Sequence, residues 1–270
     1  MPSIVNSTDP AFEREAFGLW NALAEYPAAR TGDARAHFFQ ESARLLRADG
    51  ARWCLNVRLA TGAQAKDDLC GGWRIREMLL ANPTPEGLAR VRAYLASMNR
   101  QDPERLGEPT VVALRGSGTF RVLTRDDADD LQGFYQSATY RLYYAPVGIT
   151  DRLWVSTPVS ADVESAFIFE SYDRSGRGPF TAGDKARAAF LLGGMKWFHQ
   201  LLVLDRKVAV GKSPCTPAER RALALLLTGQ SEQEIADALR LGLGTTHSRI
   251  TTIYRKFGVR GRAELMALWL

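Results

Sequence analysis

The sequence is poor in the residues that build disulfide networks and local metal sites. It has three histidines, far apart in the chain, and three cysteines: Cys54, Cys70 and Cys215. An odd number of cysteines without a Cys-x-x-Cys pair indicates neither a disulfide framework nor a zinc site. We therefore expect no metal ion and no bound cofactor.

Long apolar runs are also missing. Stretches such as Leu223–Leu227 are far shorter than the ~20 residues that a membrane-spanning helix needs. The first residues, MPSIVNSTDPAFEREAF, carry acids where a secretory signal would need basic and then apolar side chains. We expect a cytoplasmic protein with no membrane partner.

Common catalytic motifs are absent. There is neither a Gly-x-x-x-x-Gly-Lys phosphate loop nor a Gly-x-Ser-x-Gly nucleophile elbow. Acids at 126–130 could suggest a phosphorylated receiver domain, but the predicted strand Trp53–Leu59, where its acceptor would lie, contains no acid. The acids suit the N-terminal turn of a helix better, because the helix dipole favours them there. We expect no enzyme activity.

Net positive charge is missing from most of the chain and is concentrated at one end. Residues 206–270 hold 11 Lys and Arg against 5 Asp and Glu, whereas residues 1–205 hold 24 against 25. A basic module on a near-neutral body is typical of a protein that binds DNA, although a solvated basic face gives the same count. We predict a domain at 1–205, a linker at 206–213 and a second domain at 214–270.

The C-terminal segment carries signals for four helices. Thr-Pro-Ala-Glu at 216–219 and Ser-Glu-Gln-Glu at 231–234 are capping boxes, separated by a stop at Gly229. A third helix is predicted over Leu243–Phe257 and a short fourth helix over Arg262–Trp269. Two short helices with a tight turn favour a helix-turn-helix, but a helical protein-binding module has the same periodicity.

The stretch TPAERRALALLLTGQSEQEIADALRLGLGTTHSRITTIYRKFGVRGRAEL resembles the DNA-binding domain of the LuxR family of bacterial regulators. That family has Thr-x-x-Glu-Arg in the first helix, Gly-x-Ser-x-x-Glu-Ile-Ala through the second and Lys-Phe/Leu-Gly-Val closing the third. The matching positions are Thr216, Glu219, Arg220, Gly229, Ser231, Glu234, Ile235, Ala236, Lys256, Gly258, Val259 and Arg262. The resemblance implies an all-α helix-turn-helix domain that binds double-stranded DNA in a transcription regulator.

Four positions depart from the family pattern. Cys215 stands where Leu usually precedes the first Thr, and Gly242 stands where Ser usually caps the third helix. Thr246 places a hydroxyl where the family buries a methyl, and that hydroxyl could bond back to a helix carbonyl. His247 replaces the usual Lys. We expect these changes to affect the DNA target rather than the fold.

The outer face of the third helix supplies candidate DNA contacts. Small hydrogen-bonding side chains suit base edges, and we assign four residues to them: Thr245, His247, Ser248 and Thr251. Basic side chains suit phosphates, and we assign three residues to them: Arg249, Arg255 and Lys256. For Arg249, a surface ion pair is the alternative.

Helix and strand patterns are mixed in the first two hundred residues. Helices are predicted at Asp9–Glu25, Asp33–Ala48, Gly72–Ala81, Pro85–Asn99, Asp126–Thr139 and Asp184–Leu204. Strands are predicted at Trp53–Leu59, Thr110–Leu114, Thr119–Leu123, Asp151–Pro158 and Glu164–Tyr172. The mixture predicts an α+β domain with an antiparallel sheet, similar to the GAF/PAS group of small-molecule sensors.

Aromatic residues crowd the middle of this domain, as they would around an apolar ligand with a few polar anchors. The candidate ligand contacts are Trp53, Trp73, Tyr135, Tyr143 and Trp154. Each of them also suits a plain core position. LuxR relatives that bind acyl-homoserine lactones carry a Trp-x-x-x-Tyr…Asp-Pro arrangement, which this sequence does not match cleanly, so that ligand is not predicted.

The helix predicted at Asp184–Leu204 has a broad apolar face. Such a face suits a homodimer seam or packing against the sheet. We interpret the protein as a DNA-binding regulator controlled by a small molecule in its N-terminal domain. That domain could instead be a protein-docking module without a ligand, or an enzyme fused to a regulator. A closed apolar pocket would favour the ligand, an exposed apolar patch the docking module, and converging titratable groups the enzyme.

Overall fold

The computed structural model describes residues 9–27, 30–100, 108–127, 131–206 and 216–267. The chain divides into two compact units, Met1–Lys196 and Trp197–Leu270. The division lies before the predicted boundary at residue 205, and Leu204 packs in the apolar cluster of the second unit. The linker predicted at 206–213 lies almost wholly outside the described residues. Within the described ranges, no helix combines the length and the apolar character that crossing a membrane requires.

The first unit contains a five-stranded antiparallel sheet with the order β2-β1-β5-β4-β3. Its strands are β1 (Gly50–Arg58), β2 (Trp73–Leu80), β3 (Arg121–Thr124), β4 (Ile149–Ser160) and β5 (Val163–Tyr172). Its helices are α1 (Pro10–Ala24), α2 (Thr31–Leu45), α3 (Gly62–Lys66), α4 (Pro85–Asn99), α5 (Glu108–Arg115), α6 (Leu131–Gln136) and α7 (Ala182–Gly193), with a π-helical turn at Tyr140–Tyr144. The predicted α+β domain with an antiparallel sheet is confirmed.

The two faces of the sheet are covered differently, because successive side chains of a strand point to opposite faces. On one face, Phe167 of β5 packs against Phe38 of α2, with ring centroids 4.6 Å apart. On the other face, Cys54, Trp154 and neighbouring side chains form an apolar cluster with residues of α4. Both faces are therefore buried, which explains why β4 and β5 are buried along almost their whole length.

Two short elements differ from the sequence prediction. Residues 73–80 form strand β2 instead of a helix, because they pair along the edge of β1 from Trp73 to Leu80. Residues 108–115 form helix α5 instead of a strand, with a proline that a first helical turn tolerates. In both places tertiary pairing and packing outweigh local propensity.

The single helix predicted at Asp184–Leu204 is wrong, because α7 ends at Gly193 and a second helix, α8 (Lys196–Asp205), begins three residues later. Trp20 of α1 fixes this end, since its indole N–H donates to the Leu191 carbonyl at 2.9 Å. A Cβ at Gly194 would lie 3.4 Å from the Trp20 ring, which already fills the space beside the chain. The predicted apolar face is thus divided between two helices.

The second unit is helical. Beside α8 it contains α9 (Pro217–Leu227), α10 (Glu232–Leu239), α11 (Leu243–Phe257) and α12 (Arg262–Ala267). Its core is apolar and almost fully buried, with Ala222, Leu226, Ile235, Ile250, Ile253 and Leu265 each at most 1% exposed. The four predicted helices of residues 214–270 are confirmed within the described residues.

Glu164, at the start of β5, is fully buried. It binds side chains and backbone around the edge strand β3. Its carboxylate accepts hydrogen bonds from both terminal nitrogens of Arg121 at 2.6 and 2.8 Å. It also accepts from the Ser117 hydroxyl, the Gly118 amide and the Asn56 side chain at 3.2, 3.2 and 3.0 Å. One carboxylate thereby joins the turn before β3, strand β3 itself and β1.

We expect Glu164→Ala to lower the free energy of unfolding by about 3–5 kcal/mol, because it leaves the Arg121 charge buried without its partner. Urea unfolding of the full protein measures this loss. Glu25→Ala, an exposed change at the end of α1, is the control and should cost less than about 0.5 kcal/mol. If Glu164→Ala lowers the free energy of unfolding by less than about 1 kcal/mol, Glu164 does not stabilise the sheet as described.

Thr246 of α11 is fully buried, and its hydroxyl has no hydrogen-bond partner. The expected bond from this hydroxyl to a helix carbonyl is therefore not formed, and only the Thr246 backbone N–H donates to the Gly242 carbonyl. A buried hydroxyl without a partner costs about 1–3 kcal/mol of desolvation. The site consequently suits the methyl group that the resembling family places there.

We expect Thr246→Val to stabilise the C-terminal unit by about 1–2 kcal/mol, since it replaces the unpartnered hydroxyl with a methyl of similar size. Hydrogen exchange of the Ile250 and Ile253 amides reports on this unit within the full chain. Thr252→Val is the matched control, because the Thr252 hydroxyl donates to the Ser248 carbonyl at 2.9 Å and its loss should not stabilise. Faster exchange in Thr246→Val would contradict this account.

Candidate functional site

Two capping boxes begin the helices of the C-terminal unit. The Thr216 hydroxyl accepts from the Glu219 amide at 3.2 Å, and the Glu219 carboxylate accepts from the Thr216 amide at 2.6 Å. Ser231 and Glu234 repeat the arrangement at the start of α10, at 3.3 and 2.7 Å. Both predicted boxes are confirmed, and they fix where α9 and α10 begin.

The turn between α10 and α11 depends on one left-handed residue. Arg240 closes α10 with a φ of 54°, a conformation that is uncommon outside glycine. Gly242 then precedes α11 without a side-chain cap, and Gly258 ends α11 with a φ of 68°. The tight turn places α11 directly after α10, as the predicted helix-turn-helix requires.

Arg262, which is distant in the sequence, binds carbonyl groups at the C-terminal end of α9. Its Nε and Nη2 donate to the Leu226 carbonyl at 3.0 and 2.7 Å, and Nη2 also donates to the Gln230 carbonyl. These carbonyls lie at or beyond the C-terminal end of α9, where a helix cannot satisfy them itself. The side chain of Arg262 therefore has a structural task within the unit.

Helix α11 presents two contrasting faces. Thr246, Ile250, Ile253 and Phe257 are buried at intervals of three and four residues. The other side carries the exposed candidates for DNA contact: Thr245, His247, Ser248, Thr251 and Arg255. Because residues three, four and seven apart share a helix face, His247, Ser248, Thr251 and Arg255 lie along one stripe.

The charged groups near this stripe have different partners. His247 Nδ1 lies 3.0 Å from a Glu232 oxygen, and both side chains are largely exposed. Arg255 is exposed and Arg249 is half-buried. Neither arginine has a polar partner in the part of the chain that the structure describes, so both guanidinium groups are available to an anion.

The side chain of Lys256 is mostly buried and forms an ion pair within the domain. Its Nζ lies 2.6 Å from the Glu219 carboxylate of α9, and only 16% of its side chain is exposed. Burial alone would raise the pKa of Glu219, but the hydrogen bond and charge of Lys256, with the Thr216 cap, lower it. Lys256 therefore joins α11 to the capping box of α9, a role that the candidate phosphate contact did not include.

The N-terminal unit contains a cavity of about 660 Å³. Strands β1, β4 and β5 contribute Arg52, Arg152 and Glu170 to its wall, and α4 and the π-helical turn contribute Tyr94 and Tyr143. Apolar side chains such as Met78 and Val91 also line it. The wall of the cavity therefore combines apolar and charged side chains.

A charged triad lies in the wall of this cavity. Glu170 is 2% exposed and accepts from Arg52 Nη2 at 2.5 Å and from Arg152 Nε at 2.8 Å. The Tyr172 hydroxyl donates to the other Glu170 oxygen at 3.1 Å. Burial alone would raise the pKa of Glu170, but the charges and hydrogen bonds of the two arginines outweigh it and hold this pKa at about 2. The carboxylate is therefore ionised at neutral pH.

Of the five aromatic candidates, Tyr143 lines the cavity, where its ring centroid lies 5.0 Å from that of Tyr94. Trp73 and Trp154 belong to the apolar cluster on the same face of the sheet, without lining the cavity.

The other two aromatic candidates lie elsewhere. Trp53 pairs with Phe167 on the opposite face, where its indole N–H donates to Ser165 at 2.7 Å. Strand alternation explains this position, because Trp53 directly follows the cavity residue Arg52. Tyr135 is 41% exposed and packs with Phe134 and under Arg125.

Arg52, Arg152 and Glu170 were missed by the sequence interpretation. A signal was present, because charged residues interrupt the apolar strand patterns ITDRLWVSTPVS and VESAFIFESY. Charged residues are almost never fully buried unless they are paired, so such interruptions mark paired sites. The pairing itself depends on strand register, with Arg152 opposite Glu170 in β4 and β5.

Comparison with known proteins gives one family match and several distant structures. Residues 213–269 match the family "Bacterial regulatory proteins, luxR family". A search of curated proteins gives no match.

Three of the matching solved structures are similar at low identity and with TM-scores below 0.5. SdiA in complex with octanoyl-rac-glycerol is 13% identical with a TM-score of 0.46, covering 96% of this chain and 94% of that one. Escherichia coli SdiA in another structure is 12% identical with a TM-score of 0.42, covering 95% and 96%. The VqsR LBD domain from Pseudomonas aeruginosa is 16% identical with a TM-score of 0.45, covering 73% of this chain and 98% of that one. At these values the similarity does not define what this chain binds.

The family match and the helical geometry agree on the same segment. The capping boxes, the Arg240 turn and the exposed stripe of α11 all lie within the matched residues. Residues 213–269 of this chain are therefore a helix-turn-helix domain of the luxR family of bacterial regulatory proteins.

Proposed function

We propose that this protein is a sequence-specific DNA-binding transcription regulator whose N-terminal domain binds a small-molecule signal. Residues 1–205 are the sensor and dimerisation domain, 206–213 the linker and 214–270 the DNA-binding domain. The observation that carries the DNA-binding part is the exposed, hydrogen-bonding stripe of α11 within a matched regulatory domain.

Helix α11 is the element that enters the major groove in this proposal. Thr245, His247, Ser248 and Thr251 face base edges. Arg249 and Arg255, which have no partner among the described residues, contact phosphates. Lys256 contributes through Glu219, because their ion pair sets α11 against α9.

We propose that the protein binds DNA as a homodimer in the cytoplasm. One helix-turn-helix per chain reads a short half-site, and a two-fold pair reads two half-sites about one helical turn apart. Such pairing doubles the contacts and gives a palindromic target.

The small-molecule part of the proposal rests on the cavity of the N-terminal unit. Its volume of about 660 Å³ is within the range of ligand pockets in proteins, roughly 300–1,000 Å³. Its wall combines apolar side chains with the charged triad, which provides both burial and orientation for a bound molecule.

We propose a binding role for these converging charges and not catalysis. An acid or base catalyst at neutral pH needs a pKa near neutrality. The pKa of Glu170 is held at about 2, and burial, followed by the Glu170 charge, raises the pKa of Tyr172 to about 12. Neither group is suited to exchange protons with a substrate at neutral pH.

An exposed aromatic group favours protein docking as a second candidate role for the N-terminal unit. Phe17 is 48% exposed, and its ring centroid lies 5.1 Å from that of Trp20 and 5.8 Å from that of Phe190. Such a patch on α1 and α7 suits a protein partner.

Selection from randomised duplex DNA, with and without cell extract at a stated salt concentration, tests the proposed function. We expect enrichment of a two-fold-symmetric site. Dependence on the small-molecule fraction of the extract would support the signal, and dependence on its protein fraction would support docking. Salt-sensitive binding without any enriched site would contradict sequence-specific regulation.

We expect Arg255→Ala to weaken DNA binding about equally for all sequences and to reduce the slope of log affinity against log salt by about 1, because one phosphate contact is lost. Ser248→Ala should instead relax the preference at one base pair, by about 1 kcal/mol. Arg76→Ala, an exposed arginine of β2, is the charge-matched control and should change neither property. An Arg255→Ala effect confined to one sequence would contradict its assignment to a phosphate.

A further inference from the structure

We infer that the ligand of the N-terminal cavity is a small organic anion: a carboxylate carried on an apolar body. This inference rests on the proposal that the N-terminal unit binds a small molecule. It goes further, because it names the chemical class that the wall of the cavity selects.

The wall carries more positive than negative side chains. Four arginines line the cavity: Arg52, Arg90, Arg152 and Arg174. Three acids line it: Asp49, Glu170 and Asp173. The excess of one positive charge is left within a partly desolvated space, where an opposite charge on a ligand gains most.

The acids of the wall are already engaged by the protein. Asp49 accepts from the Tyr172 amide at 2.7 Å and from the Ser175 hydroxyl at 2.6 Å. Asp173 accepts from the Arg174 amide at 2.7 Å. These bonds tie the acids to the chain, so a cationic ligand would have to compete with them.

Of the two arginines that bind Glu170, Arg52 is not saturated by hydrogen bonds. Two guanidinium groups carry about ten N–H donors, whereas the Glu170 carboxylate offers about four acceptor positions. The Nε of Arg52 is buried without a hydrogen-bond partner. Arg152 is stacked on the Tyr144 ring at 3.9 Å, which holds its planar group in one orientation. A second carboxylate would supply Arg52 with an acceptor that the protein itself does not.

The outer arginines are available to guide an anion inward. Arg90 of α4 is half-buried and lacks a polar partner in the described part of the chain. Arg174 is exposed and lies over the Tyr172 ring, with its guanidinium carbon 4.8 Å from the ring centroid. Positive groups along a cleft raise the local concentration of an anionic ligand.

The remaining wall explains the apolar body. Met78, Leu80, Val91, Val147 and Ile149 contribute hydrocarbon surface to the same cavity. A free phosphate or another small inorganic ion would leave this surface in contact with water. An amphiphilic carboxylate covers it and reaches the arginines at the same time.

Calorimetric titration of the full protein with 4-phenylbutyrate and with its neutral isostere 4-phenylbutyramide tests the inference. We expect the carboxylate to bind at least about tenfold more tightly, because hydrogen bonds from a guanidinium to a charged acceptor are stronger than those to a neutral amide. Arg90→Gln should weaken the carboxylate alone. Arg76→Gln removes the same charge outside the cavity and is the control.

A second variant should increase the affinity for the carboxylate instead of decreasing it. Glu170→Gln removes the competing carboxylate from between Arg52 and Arg152, so it should tighten 4-phenylbutyrate by about threefold or more. Misfolding cannot mimic a gain in affinity. Weaker carboxylate binding by folded Glu170→Gln, judged by circular dichroism, would overturn the inference.

The outcomes separate this inference from the proposed function. Equal affinity for amide and carboxylate would overturn the anionic ligand while leaving a small-molecule pocket. Absence of binding by both compounds, and by octanoate, would overturn the anionic ligand, while the dependence of DNA selection on the small-molecule fraction of the extract decides the signal-binding role. DNA binding by the same preparation is measured separately and decides the regulator proposal on its own.

Discussion

The N-terminal unit depends on one buried carboxylate. Glu170 lies on β5, the central strand of the sheet, and it binds arginines on both neighbouring strands, Arg52 on β1 and Arg152 on β4. Burying three charged groups is expensive, and the mutual attraction offsets that cost only when all partners are in place. The register of three strands, the shape of the cavity and the ionisation of Glu170 are thus set by the same contact.

The C-terminal unit, by contrast, is stabilised with few buried charges. Its core is apolar, and its polar contacts satisfy the ends of its helices through the two capping boxes and Arg262. The Glu219–Lys256 pair extends one capping box to α11. Because these contacts use the buried side and the ends of the helices, the stripe around Ser248 and Thr251 stays open to solvent.

The sequence was most informative where local chemistry determines structure. The helix starts at Thr216 and Ser231 follow from capping residues, whose partners lie only three positions away. The α+β class followed from the mixture of patterns, and β4 and β5 were predicted to within a few residues. By contrast, β2 depends on pairing with β1, and the end of α7 depends on Trp20, which is distant in sequence. Such contacts leave no local signal.

The same distinction explains why most of the residues that line the cavity were not predicted. Aromatic residues are conspicuous in a sequence, but their position depends on strand parity, which put Trp53 on the opposite face from Arg52. Charged residues inside buried strands were the better signal, because an unpaired buried charge is too costly to persist. Well-packed apolar residues often replace a buried ion triad without loss of stability. The presence of Arg52, Arg152 and Glu170 beside a cavity is therefore easier to explain by the proposed recognition of a charged ligand than by stability of the fold.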